Sequence, residues 1–206
     1  MPGNISPSRI GGWCLLLGLL WSLPISSTTR TVIVNVDLPP LAWSDSQLEL
    51  KLVRNLSRLA DGRMVITRSE TEDKEMYPDR HYNLDSLVDW GKQSGGHYLL
   101  LVEVDALRLE KRKSFHLPLI FHKYETVGVI EGELRLIDIS RKKALIAEPF
   151  QIEQKGPRIF QATMDDDIND PDTHLTAVDK LKFFDRMEEK LARHICRRAD
   201  KVMHLR

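Results

Sequence analysis

The sequence is short of cysteine, of charge of one sign, and of any apolar run long enough to span a bilayer. Its only cysteines are Cys14 and Cys196. If Cys14 leaves with a leader, Cys196 stands alone, and an intramolecular disulfide is excluded even in an oxidising compartment. Thirty Lys and Arg balance thirty Asp and Glu, so the basic excess of a general nucleic-acid-binding surface is missing. The widest apolar window, residues 10–25, holds three glycines and a proline in 16 residues. A spanning helix needs roughly 20. Also missing are a glycine-rich phosphate loop, a nucleophile elbow and a metalloprotease helix.

What is present begins with Arg9, the only basic side chain before the apolar run Trp13 to Leu23, which Pro24 ends. That is the order of a secretory signal. Ile25-Ser26-Ser27 offers a cleavage tripeptide, so we assign residues 1–27 to a signal peptide and residues 28–206 to one domain. Retention of residues 10–25 as a membrane anchor is the alternative, and the only membrane contact expected. Cys14 lies near the beginning of the run, where lipoprotein processing cannot use it. The mature chain is long enough to be held by core burial alone. Asn4-Ile5-Ser6 and Asn55-Leu56-Ser57 match the glycosylation tripeptide, but one lies in the leader and the other in an expected helix.

Along the mature chain, the β-branched Arg30 to Asp37 predicts a strand ending before Pro39-Pro40. Ser44 or Asp45 can cap a helix in which Leu48, Leu52, Val53, Leu56, Leu59 and Ala60 recur at helical spacing, with Asp61-Gly62 as its stop. Met64 to Thr67 reads as a short strand, Ser69 to Glu75 as a polar loop, and Asn83 to Ser94 as a second helix closed by Gly95-Gly96. His97 to Leu109 opens as a continuous apolar run, expected of a strand covered on both faces, and then alternates. Lys111 to Tyr124, broken by Pro118, reads as a loop or edge extension. Glu125 to Ile139 and Ala144 to Gln154 flank Ser140 to Lys143, a hairpin turn. Asp172 to Val202 predicts a long final helix on Leu175, Val178, Leu181, Phe184, Met187, Leu191, Ile195 and Val202. The fold class is therefore α/β (α+β): one mixed sheet in the order β-α-β-α-β-β-β-α.

Two strands carry a resemblance. His97-Tyr98-Leu99-Leu100-Leu101-Val102-Glu103-Val104 is similar to the hydrophobic strand entry of a group of bacterial envelope proteins, and Glu133-Leu134-Arg135-Leu136-Ile137-Asp138-Ile139 resembles the same group's L-x-L-V-D strand. The group comprises the curli-secretion lipoprotein, the lipoprotein activators of penicillin-binding proteins and the amino-terminal domain of the Tol-system propeller protein. Thr31 to Val36 and the long final helix fit its pattern. This chain departs from it in lacking a lipidation cysteine, in carrying Glu103 where glycine is usual, and in replacing a Thr-Gly turn by Ser140-Arg141-Lys142. No pair of alternating membrane hairpins stands out. The resemblance implies a non-catalytic periplasmic accessory that works by contact with an envelope protein, and it transfers no functional residue.

Several constellations invite chemistry. Asp165, Asp167 and Asn169 alternate as in the opening of a calcium loop, but the required glycine is Asp170 and the required glutamate is Thr176. The plainer reading is an acidic start to the last helix. Arg193, Arg197, Arg198, Lys201 and Arg206 crowd its other end, where the dipole favours cations and where a partner can dock; the first four are the candidate partner-binding residues. Glu131 and Glu133 share a sheet face, as do Glu103 and Asp105, with Arg135 beside them. Paired carboxylates can hydrolyse glycosides, which makes a small glycan-directed envelope hydrolase the alternative function. His194 and Cys196, two apart on a helix, cannot form a dyad. His116 and His122 lack a third zinc ligand. No cofactor, metal or nucleic-acid partner is expected.

Overall fold

A computed structural model describes residues 29–39, 46–68, 83–117, 121–161 and 176–204, without the side chains of 113–117, 121–124 and 157–161. The leader, Ser44, Asp45, the loop 69–75, Leu175, Arg206, the Asp165, Asp167 and Asn169 group, and the side chains of His116 and His122 lie outside the described residues.

The elements are β1 (Arg30–Asp37), α1 (Leu48–Ala60), β2 (Met64–Arg68), α2 (Leu84–Gln93), β3 (Tyr98–Leu117), β4 (Phe121–Asp138), β5 (Lys143–Gln161) and α3 (Ala177–Met203). The expected element order is borne out. Five strands form one sheet in the order β2-β1-β3-β4-β5. β1 runs parallel to β2 and to β3, while β3, β4 and β5 are antiparallel, so the sheet is mixed.

Side chains alternate across each strand, and both faces have helices to cover them. Val32, Val34, Leu100, Val102 and Val104 turn toward Leu48, Leu52 and Leu56 of α1 and Met187, Leu191 and Ile195 of α3. On the opposite face Ile33, Leu99, Ile137 and Ile139 meet Leu87 and Val88 of α2. This two-sided cover explains the unbroken apolar start of β3. Gly91 is required for the approach of α2, because a Cβ there would meet Ile139 Cδ1 at 2.5 Å.

Of the two expectations for Lys111 to Tyr124, a loop or an edge extension, the loop is corrected. β3 extends to Leu117 and β4 starts at Phe121, paired from Lys111↔Thr126 to Leu117↔Phe121 with a register shift between Lys113 and Phe115. β5 likewise runs to Gln161 rather than Gln154. Cross-strand hydrogen bonding, invisible in a local window, carries the basic residues of this stretch into the ladder. Ion pairs hold its outer face: Arg108 donates twice to Glu131 at 2.7 and 2.9 Å, and Arg112 bridges Glu110 and Glu153.

The final helix starts at Ala177 and not at Asp172. Thr176 is extended, its hydroxyl accepting the Asp179 amide hydrogen at 3.1 Å and donating to the Asp179 carboxylate. The expected apolar stripe holds at Met187, Leu191 and Ile195 and is corrected in its first turns. Val178 and Leu181 are 58% and 63% exposed, and the buried stripe runs through Phe183, Met187, Leu191, Ile195, Ala199 and Met203. Val178 and Leu181 satisfy a spacing of three or four as well as Phe183 does, and packing on α1, β4 and β5 selects between them.

Candidate functional site

The carboxyl-terminal half of α3 lies beside β5, whose outer edge pairs with no strand among the described residues. A groove of about 380 Å³ separates the two, lined by Ile152, Gln154, Lys190, Arg193, His194 and Arg197. The spacing of 190, 193 and 197 on a helix of 3.6 residues per turn puts three cations on one stripe. The structure thus brings Arg193 and Arg197 of the expected set together.

The other two expected residues lie apart from the groove lining. Arg198 is tied to Glu148 of β5 by two hydrogen bonds, and that guanidinium holds the Glu148 carboxyl below its ordinary value. Lys201 is exposed one turn further on. Among the described residues, Arg197 and Lys201 have no hydrogen bond or ion pair. Arg193 reaches only Glu189 one turn back, pairing with its carboxylate at 3.4 Å and donating to its carbonyl at 3.3 Å, and such exposed pairs contribute about 0–1 kcal/mol. Sequence reasoning missed Lys190 and His194. The i, i+3, i+7 spacing of Lys190, Arg193 and Arg197 was a signal for the stripe, but nothing local places it beside a sheet edge.

That edge is guarded. Lys190 Nζ donates to the Glu153 carbonyl, and Gln154 Nε2 donates to the Lys155 carbonyl at 3.1 Å. Both oxygens belong to residues of odd number, as does Pro149. A proline is tolerated in a strand where its missing N–H would face outward. Residues 151, 153 and 155 therefore present their backbone polar groups to the groove side.

Elsewhere the sheet carboxylates are taken up. The Arg135 guanidinium, donating to Glu133 at 2.6 and 2.8 Å, outweighs burial and holds the Glu133 carboxyl below its ordinary value. A glycosidase acid needs the opposite shift. Glu103 lies opposite Glu133, and a bulge between Val104 and Ala106 pushes Asp105 out of that register. His97, Asp138 and Ser140 stand round a cavity of about 70 Å³. The Ser140 hydroxyl donates to Asp138 at 2.6 Å, and His97 Nδ1 accepts the Thr31 amide hydrogen, so neither is arranged as nucleophile and base.

No family model matches the chain, and no curated protein matches it in sequence. Several solved structures are similar to it at low identity. The minor lipoprotein of Acinetobacter baumannii is 11% identical at a TM-score of 0.40, over 84% of this chain and 94% of that one. The rare lipoprotein B of Shewanella oneidensis is 15% identical at 0.32, over 85% and 92%. A hypothetical protein of Chlamydia trachomatis, CT253, is 12% identical at 0.46, over 84% and 97%. Two of these three are bacterial lipoproteins.

Cys196 is buried on α3 and burial pushes its thiol up to about 12, far from the thiolate that nucleophilic or metal chemistry needs. His194 and Cys196 stay separate. Among the described residues no cluster of three His, Cys, Asp or Glu is placed to hold a metal, and no helix is long and apolar enough to cross a membrane. Asn55 sits in α1 with its amide nitrogen buried, which leaves no room for a glycan.

Proposed function

We propose that this protein is a non-catalytic, extracytoplasmic accessory of the bacterial cell envelope, periplasmic once its leader is cut, acting by contact with another envelope protein. The observation that carries the reading is the groove between α3 and β5, where Arg197 has no partner among the described residues and Arg193 only a weak one. Charges left so on a folded surface are available to a partner. The leader-like start and the strand motifs shared with envelope accessory proteins support the location. The role needs no cofactor. Zero formal charge favours a protein over nucleic acid as the partner.

The test is a photo-crosslinking residue at position 197 in a carboxyl-terminally tagged chain, with mass spectrometry of the envelope fraction. A reproducible partner crosslinked from 197, and not from an exposed position on α2 such as 92, supports the reading. A full-length chain recovered from the cytoplasm, or no partner at all, refutes it.

A further inference from the structure

The groove has the features of a site for one kind of ligand. We propose that an extended acidic segment of the partner adds as a strand to the free edge of β5, with its carboxylates on Lys190, Arg193 and Arg197. This rests on the reading above that the α3 and β5 face is the contact surface, and it specifies the chemistry of what binds there.

Three observations converge. The first is the edge: among the described residues β5 pairs only with β4, so its outward N–H and C=O groups at 151, 153 and 155 can continue the ladder. The second is spacing. Lys190, Arg193 and Arg197 extend over about 10 Å of helix, while alternate side chains of an added strand repeat at about 6.7 Å. Two or three acidic residues at alternate positions thus meet the three long cationic arms in turn. The third is the guard on the edge. Lys190 covers the Glu153 carbonyl and Gln154 the Lys155 carbonyl, as lysines and polar side chains commonly protect exposed edges. A carboxylate arriving beside Lys190 draws the ammonium away and leaves the Glu153 carbonyl to accept the segment's own N–H. A neutral strand has nothing to offer Lys190 in exchange. The edge is therefore closed to apolar strands and open to acidic ones, which gives specificity as well as attraction.

The probe is a labelled nine-residue peptide alternating glutamate with valine and blocked at both ends, followed by fluorescence anisotropy with the full-length chain. Replacing its glutamates by glutamine is expected to weaken binding at least about tenfold. So is N-methylation of alternate amides, which keeps the charge and removes the ladder donors. Arg197→Glu, at an exposed position, is expected to cost a similar factor, and Lys190→Gln to narrow the preference for the acidic peptide over its glutamine counterpart. Equal binding of the N-methylated peptide would overturn strand addition, as would equal competition by phosphatidylglycerol vesicles or duplex DNA. If no peptide binds while crosslinks from 197 persist in cells, the ligand chemistry is wrong and the contact face stands.

Discussion

At the scale of the residue, the most constrained polar group is Glu188 of α3. It is 4% exposed, and one carboxylate oxygen accepts from the Ser46 hydroxyl at 2.8 Å and the Gln47 amide at 3.2 Å. The other meets Lys51 Nζ at 2.7 Å. α1 has no side-chain cap on Gln47; a carboxylate from another helix serves its positive end instead. Lys51 also reaches Asp185 at 2.6 Å. Breaking a buried pair from one side strands the other charge. Glu188→Ala is expected to cost about 3–5 kcal/mol, and the double change with Lys51→Met less than Glu188→Ala alone, measured by urea unfolding. Burial pushes the Lys51 ammonium down, but the hydrogen bonds it donates to Asp185 and Glu188, with their charges, outweigh burial and raise it above 10.5. Its contribution is full below that ordinary value and is lost as pH rises through the folded one.

Asp138 shows the opposite sign. Burial raises its carboxyl, but the Ser140 hydroxyl, the Arg141 amide and the Arg141 charge together hold it below 3.8. Its stabilisation is present above that ordinary value and lost as pH falls through the folded value. Asp138→Asn keeps the acceptor oxygen and removes the titration. The acid limb of a stability-versus-pH curve should become shallower below about pH 4, and an unchanged limb would show that other carboxylates dominate.

At the scale of the element, α3 decides which of two apolar stripes is core. Met187 is fully buried, and Gly128 of β4 has no Cβ because Met187 Sδ and Phe183 occupy that space. Met187→Ala should cost about 2–5 kcal/mol and Gly128→Val about 1–3 or more, whereas Leu181→Ser should stay within about 0.5 kcal/mol. Equal costs at 181 and 187 would mean that Leu181 is packed as well. The same element shows what was legible. Helical period and length were plain in the sequence, as were the cap-and-stop signals of α2, where Asn83 accepts the Asp85 amide hydrogen and Gly95 turns with φ of 69°. The rotational setting of α3 was not, since Val178 and Leu181 satisfy the period as well as Phe183 does. Long-range pairing likewise made strands of the charged 111–117 and 121–124, which no local pattern announced.

At the scale of the whole molecule, the fold holds together without a covalent staple. Only Cys196 among the described residues could contribute to one, and it is buried and free. The Tm of the purified chain should be the same with and without reductant; a fall on reduction would reveal a disulfide between copies. Function is expected to follow the basic groove and not the opposite charged face. Glu131→Gln and Glu133→Gln should leave crosslinks from position 197 unchanged, because these carboxylates serve Arg108 and Arg135 within the sheet. Arg197→Glu should reduce them severalfold.

The amino-acid sequence by itself determined the element types and their order, the mixed sheet and the basic carboxyl-terminal half of the last helix. Each is a local property: a period, a cap, a count. Tertiary structure alone decided that Lys190 and His194 join Arg193 and Arg197 beside the open edge of β5, and that Arg198 turns to Glu148 instead. It also placed Glu188 at the start of α1, 142 residues from Ser46 in sequence. Such juxtapositions depend on how a helix is rotated and which strand lies under it, and burial of the competing apolar stripes settles both only when the chain packs.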